Sequence, residues 1–280
     1  MANAQINREA VVKRHNVKVN KIDSLASLTV GNGNFAMTVD ATGMQSFPEA
    51  YAKGVPLGTQ SVWGWHSFPN TENLRVEEAQ KVYELEGRKI SYTVQPKEQG
   101  RVKMAVEYFR VNPHRLQLGN IGLEIKKKDG SIATAKDIQE ISQELNVWTG
   151  MITSNFVIEG VPVKLTTAAH QQHDAVSFRI ESALLQSNRM AVRLRFPYPN
   201  GQFKDVGDNF NSDERHTSSL TSRVASALIQ RTLDTTNYFV DMNWTAATIK
   251  MTAAHSFLIQ PTGRNCLLYT SPSPRDRTRS

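Results

Sequence analysis

Aromatic and histidine side chains are concentrated in the stretch SVWGWHSFPN, residues 61–70. Trp63 and Trp65 are two positions apart, so in an extended segment their side chains share one face. Indole rings stack on the apolar C–H faces of sugar rings, and loops carry binding functions more often than strands do. We therefore predict that Trp63, Trp65 and His66 contact a carbohydrate. The alternative is that both indoles pack in the core or at a domain interface.

A second stretch that could do chemistry is the polar segment FPYPNGQFKDVGDNFNSDERHTSSL, residues 196–220. Its acidic residues are Asp205, Asp208, Asp213 and Glu214. Glycoside hydrolysis needs two carboxylates held at a fixed spacing across the scissile bond, which a flexible loop does not provide. Long loops in compact domains tend to be functional. We predict no catalytic residue here, and we predict that the loop lines a substrate cleft with Arg215 and His216 contacting the substrate.

The other candidate ligands for metals or cofactors are sparse. His170 and His173 face opposite sides if they lie in a strand, and only a turn would let them converge on one ion. The single cysteine, Cys266, excludes an internal disulfide and leaves a zinc or redox motif without a second thiol. No GxSxG nucleophile elbow occurs. We predict neither a metal nor a cofactor.

Charge and hydropathy exclude two further classes of partner. The 280 residues include 33 basic and 26 acidic side chains, a net charge of +7. The one basic cluster, Lys126–Lys128, stands beside Asp129–Gly130, as in a solvated hairpin tip. No stretch approaches the roughly 18 consecutive apolar residues of a membrane helix. We therefore predict no nucleic-acid partner and no membrane partner.

Alternation of apolar and polar residues dominates the chain. It predicts half-buried strands at 88–95, 101–109, 175–182, 190–196 and 237–244, and a further hairpin strand within 222–233. Helical spacing is rare: it predicts a helix at 7–16 capped by Asn7, one at 135–145 and a weaker one at 76–87. The predicted fold class is all-β, a large antiparallel β-sandwich (supersandwich) with a few short helices.

The two ends of the chain differ from its middle. Ala2-Asn3-Ala4 has the small-x-small form of a signal-peptidase site, but the apolar stretch that should precede it is absent. Met1 is then an internal start within an incomplete signal peptide, which favours a periplasmic or secreted protein, or the similarity is chance. The string CLLYTSPSPRD, residues 266–276, resembles the translation of a sequencing-library adapter at every position. The predicted division is an N-terminal segment at 1–20, a sandwich at 21–264 and a non-native tail at 265–280 outside the fold. A genuine disordered tail is the alternative.

Two segments carry a resemblance to a known family. SLTVGNGNFAMTVD (27–40) contains the turn Gly31-Asn32-Gly33, and LNVWTGMITSNFVIEGVPVKLTTAAHQQHDAVSFRIES (145–182) turns at Gly150 and Gly160. Both resemble the N-terminal β-sandwich of six-hairpin glycosidases of the maltose-phosphorylase and fucosidase type. The resemblance covers about residues 20–260. It is specific for the sandwich and weak for any one activity.

The resemblance implies a sandwich, a linker and a catalytic (α/α)6 barrel that carries the general acid and the group activating water or phosphate. The chain has no helical repeat of a barrel. It is thus expected to be the inactive, non-catalytic domain of a truncated bacterial glycoside hydrolase or phosphorylase, shaping the oligosaccharide cleft and docking the barrel. A free-standing carbohydrate-binding sandwich and an adhesion sandwich without a ligand are the alternatives.

Overall fold

The computed structural model describes residues 6–274. The α-helices are α1 Arg8–Lys13, α2 Pro48–Tyr51, α3 Arg101–Val111 and α4 Ala183–Gln186, and the 3-10 helices are Val76–Ala79, Ala135–Asp137 and Asp213–Arg215. The strands are β1 Val17–Val19, β2 Leu28–Gly31, β3 Phe35–Val39, β4 Thr59–Ser61, β5 Trp65–His66, β6 Gln80–Leu85, β7 Arg88–Thr93, β8 His114–Arg115, β9 Asn120–Ile125, β10 Gln139–Asn146, β11 Met151–Ile158, β12 Val161–Ala169, β13 Val176–Ser182, β14 Met190–Arg195, β15 His216–Ser222, β16 Ser226–Leu233, β17 Thr236–Trp244, β18 Ala247–Ala253, β19 Ser256–Pro261 and β20 Asn265–Ser273. No helix in this part of the chain is long and apolar enough to cross a membrane.

The strands pair in antiparallel fashion and form two main sheets. The larger has nine strands in the order β1-β10-β11-β12-β13-β20-β17-β16-β15, and the smaller has four in the order β18-β19-β14-β9. A three-stranded sheet, β2-β3-β4, and the pairs β5-β8 and β6-β7 complete the set. The predicted all-β sandwich is confirmed.

One hydrophobic core draws on both main sheets. Ile152 and Phe156 of β11 are buried at alternate positions of the nine-stranded sheet. Val192 of β14 and Phe257 of β19 belong to the same core from the four-stranded sheet. Alternating burial of this kind is what a strand with one dry and one wet face requires.

A buried turn at residues 40–47 follows β3 of the three-stranded sheet and is hydrogen-bonded to β9 of the four-stranded sheet. The Asp40 carboxylate accepts hydrogen bonds from the backbone N–H and hydroxyl of Thr42 and from the Phe47 N–H, at 2.8, 2.5 and 2.8 Å. Gln45 exchanges bonds with the backbone of Ile121. Burial raises the pKa of Asp40 to about 6 in spite of these donors. The turn is therefore held by a carboxyl group that is costly to ionise.

One predicted strand is a helix. Residues 101–109 alternate in sequence, but they form most of α3, with Val102 and Met104 exposed. Ala105 is buried against Leu74 and Ala79, and Val106 and Phe109 pack beside it. Ala105, Val106 and Phe109 lie on one face of a helix, so the strand prediction was wrong. The alternation of apolar and polar residues in this segment was coincidental.

Two predicted helices are strands. Residues 135–145 begin with a 3-10 helix and continue into β10. Residues 76–87 likewise begin with a 3-10 helix and continue into β6. β10 lies between β1 and β11, which satisfy its backbone groups from both sides. Strand pairing overrides a local preference for helix. The helix capped by Asn7 is confirmed as α1, as are the strands predicted around β7, β13, β14, β16 and β17.

The expected end of the strand pattern at Arg264 was also wrong. Residues from Asn265 onward form β20, which lies inside the nine-stranded sheet and pairs with β13 and β17. Cys266 and Leu268 point into the core and are fully buried, and burial raises the pKa of the Cys266 thiol to about 11. The resemblance to an adapter stays a prediction. Residues 275–280 and the Ala2-Asn3-Ala4 signal lie outside the described residues.

Candidate functional site

A surface groove is formed by two adjoining cavities of about 260 and 220 Å³, called here the groove. Its walls are residues 56–60 leading into β4, residues 110–117 from the end of α3 through β8, and the loop 197–207. The cavities share Gln60, Arg115 and Asp205. Asp205 belongs to the long polar loop, so this loop lines the groove, and the binding of a substrate there stays a prediction.

Two arginine–aromatic stacks lie along the groove. The Arg115 guanidinium carbon is 4.1 Å from the centre of the Trp65 ring, and Arg115 Nη1 donates to the carbonyl of Ser61 at 2.9 Å. The Arg110 guanidinium carbon is 5.2 Å from the Phe203 ring. Trp65 is 44% exposed and Phe203 72% exposed. Phe203 lines the groove, Trp65 lies beside its lining residue Arg115, and both rings are partly open to solvent.

Trp63 is placed differently from Trp65. Its indole N–H donates to the Asp174 carboxylate at 2.7 Å, and the Ser61 hydroxyl donates to the same oxygen at 2.5 Å. The ring lies 6.1 Å from that of Tyr238 and packs against the core. Trp63 anchors the aromatic loop to the body of the domain, which is the packing alternative for this residue.

His66 is buried within a row of hydrogen bonds below the groove. Its Nε2 lies 2.8 Å from the Asp234 carboxylate, which also accepts from the Tyr198 hydroxyl at 2.8 Å. Its Nδ1 lies 3.1 Å from Nε2 of His114, whose Nδ1 lies 2.8 Å from the carbonyl of Val111. Burial lowers the pKa of His66, opposed by the bond to Asp234. His66 therefore positions its neighbours and does not face solvent.

Arg215 and His216 are adjacent in sequence but differ in environment. Arg215 is exposed, and its guanidinium carbon is 4.4 Å from the ring of Tyr198, which lines the groove. His216 is buried, and its Nδ1 accepts from Arg231 Nη2 at 2.5 Å. Burial, then the charge of Arg231, then His255 lower the pKa of His216 to about 3. His216 is therefore neutral and turned away from the groove.

One set of side chains has spacing that a metal ion could use. Ligand atoms of Asp213, His216 and His255 lie within 4.8 Å of one another. The buried guanidinium of Arg231, however, donates to both His216 and His255 and would repel a cation. His255 also uses Nε2 to donate to the carbonyl of Asp213 at 3.0 Å. We assign no metal to this set.

The other histidine pair is in a turn after β12. The rings of His170 and His173 converge to 4.6 Å, because the turn is closed by Asn32 Nδ2, which donates to both of their carbonyls. Two residues are too few to close a metal site, and no third ligand stands beside them among residues 6–274.

The structure brings together some of the predicted residues and adds others. Trp65 contacts Arg115 and Arg215 contacts Tyr198, two residues that line the groove. Trp63 packs against the core, and His66 and His216 are buried. Sequence reasoning missed Arg110 and Arg115. Arg110 was hidden by the wrong strand prediction for 101–109, and no motif marks Arg115. The one signal for Arg115 is its position next to His114, two residues after a proline, where a loop is expected.

Comparison with known proteins gives evidence on the fold alone. No protein-family model matches the chain, and no curated protein matches it. A solved structure named "Putative kojibiose phosphorylase from human microbiome" matches with a TM-score of 0.51 at 8% sequence identity. The match covers 92% of this chain and 32% of that chain. The chain therefore shares the fold of about a third of that protein, which agrees with the sandwich expected from the resemblance in the sequence.

Proposed function

We propose that the chain is the non-catalytic β-sandwich domain of a longer, exported enzyme, a glycoside hydrolase or phosphorylase that acts on oligosaccharides. In this proposal it forms one wall of the substrate cleft and docks an (α/α)6 barrel that carries the catalytic groups. The observation that carries the proposal is the fold match, in which nearly the whole chain corresponds to 32% of a phosphorylase chain. The remaining two thirds of such an enzyme would hold the chemistry.

The composition of the groove supports binding without catalysis. Its lining combines the amides of Gln60 and Gln117 with the arginines, and exposed rings stand beside it. Amides and charged groups hydrogen-bond sugar hydroxyls, and aromatic faces stack on sugar rings. Asp205 is the one acidic residue among the described residues that line the groove. A single carboxylate does not supply the acid and base of glycoside hydrolysis.

A free-standing carbohydrate-binding sandwich is the second candidate. It is favoured by the fact that both cavities of the groove are lined within this one chain. Binding by the isolated chain is expected under either candidate, and the two differ in whether a barrel belongs to the natural protein.

The test measures oligosaccharide binding by the isolated chain and by its Trp65→Ala variant. Binding is measured by calorimetry over a panel of neutral oligosaccharides. We expect binding without any product, and a loss of about 5-fold in affinity in the variant, because stacking of this kind contributes about 1 kcal/mol. Trp148→Ala is the matched control, since Trp148 is similarly exposed at 48% but lies in the β10–β11 turn. Turnover of any glycoside, or equal losses in the two variants, would overturn the proposal.

A further inference from the structure

We propose that the groove selects an acidic oligosaccharide, one that carries a carboxylate on a sugar ring as a uronic acid does. This inference rests on the proposed function and adds the substrate class to it. It starts from the smaller cavity of about 220 Å³, which is lined by Arg110, His114 and Arg115 on one side and by the loop 201–205 on the other.

The two guanidinium groups are available to a ligand. Within the described residues, Arg110 makes no hydrogen bond to the protein and is held only by its stack on Phe203. Arg115 donates from Nη1 to the carbonyls of Ser61 and Val62, and its Nη2 and Nε have no partner in that part of the chain. An arginine that is already oriented by an aromatic ring loses little entropy when it binds a carboxylate through two parallel N–H bonds.

The opposing negative charge is already committed. The two oxygens of Asp205 accept backbone N–H bonds from Asn200 at 2.7 Å and from Gly207 at 2.8 Å. Two arginines thus face one carboxylate that has other partners. A carboxylate on a bound sugar would meet free donors in this cavity, while the ring of Phe203 offers an apolar face to the pyranose.

The experiment compares two forms of one ligand, trigalacturonate and its fully methyl-esterified form, by calorimetry at constant ionic strength. The ester keeps the sugar rings and removes the charges. We expect the acid to bind at least about 10-fold tighter than the ester, since hydrogen bonds between charged partners are roughly twice as strong as neutral ones. R110Q and R115Q should each remove most of this preference, measured as the ratio of the affinity for the acid to the affinity for the ester.

R223Q is the matched control, because Arg223 is exposed in the turn after β15 and does not line the groove. Circular dichroism of each variant separates a lost site from a lost fold, and R110Q changes an exposed side chain without protein hydrogen bonds. Equal affinity for acid and ester, or a preference that survives R110Q and R115Q, would overturn the inference while the proposed function stands. If neither form binds but neutral oligosaccharides do, the inference alone fails. If no oligosaccharide binds, both fail.

Discussion

Removing residues 265–280 should leave a chain that does not fold. β20 pairs with β13 on one side and β17 on the other, so its loss leaves each of these strands with one unpaired edge and opens the core where Cys266 and Leu268 were buried. Unpaired edges beside exposed apolar surface favour association. We expect the shortened protein to aggregate and to show no cooperative unfolding transition in urea.

A substitution measures the same effect in the full chain. Leu268→Ala should lower the free energy of unfolding by about 3 kcal/mol, the range typical of large-to-small changes in a core. Tyr269→Ala is the matched control, since Tyr269 is the next residue of β20 and is 47% exposed, and it should cost less than about 1 kcal/mol. A shortened chain that unfolds with the midpoint of the full one would show that β20 is not part of the fold.

Replacing the buried carboxyl of Asp40 should have the second large effect. Asp40→Ala leaves the Thr42 hydroxyl and the N–H groups of Thr42 and Phe47 without their acceptor. Each unsatisfied buried donor costs about 1–3 kcal/mol, so we expect a loss of about 3 kcal/mol or more at every pH where the protein is folded. Chemical denaturation at pH 4 and pH 7 measures it.

The pH dependence has a defined sign. The pKa of Asp40 is raised from 3.8 to about 6 on folding, so the folded state keeps a proton that the unfolded state has released. Asp40 therefore disfavours folding progressively as the pH rises from about 4 to about 6, by up to about 1.4 kcal/mol per pH unit. Relative to Asp40→Asn, the unsubstituted protein should lose stability across this window. A pH profile parallel to that of the variant would contradict the assignment.

His216 acts in the opposite sense and provides the comparison. Its pKa falls from 6.5 to about 3 on folding, so it contributes stability at neutral pH that is lost as the pH falls below 6.5. Between pH 4 and pH 6 the two effects offset each other. His216→Asn keeps an acceptor for Arg231 and removes the titration, so it should expose the full slope of Asp40.

The strands with clear alternation were predictable, and the errors have identifiable causes. The runs around β13 and β17 alternate because each has one buried face, and the sequence carries that information directly. β10 was mistaken for a helix because its spacing of Ile138, Ile141 and Leu145 also fits a helical face, while its pairing with β1 and β11 depends on residues far along the chain. The opposite error was made for α3, a helix predicted as a strand, because the residues it packs against, Leu74 and Ala79, lie far from it in the sequence.

The site was predictable only as a region. The long polar loop lines the groove, and Trp65 of the aromatic stretch 61–70 stacks on its lining residue Arg115. Loops with rings and charges are where binding residues concentrate. Which indole faces solvent was not predictable, since Trp63 is turned inward by a bond to Asp174, more than a hundred residues away. Arg110 and Arg115 become neighbours only after α3 and β8 are placed. Long-range contacts of this kind leave no local pattern.

The most direct test of the account is the natural reading frame of the gene, sequenced from genomic DNA across codon 264 and beyond. The account predicts that the natural residues after Arg264 supply a strand with inward apolar side chains where β20 lies, followed by a linker and several hundred residues with the spacing of paired helices. A stop codon soon after residue 264, or a continuation without helical pairs, would contradict the claim that this sandwich serves a catalytic barrel.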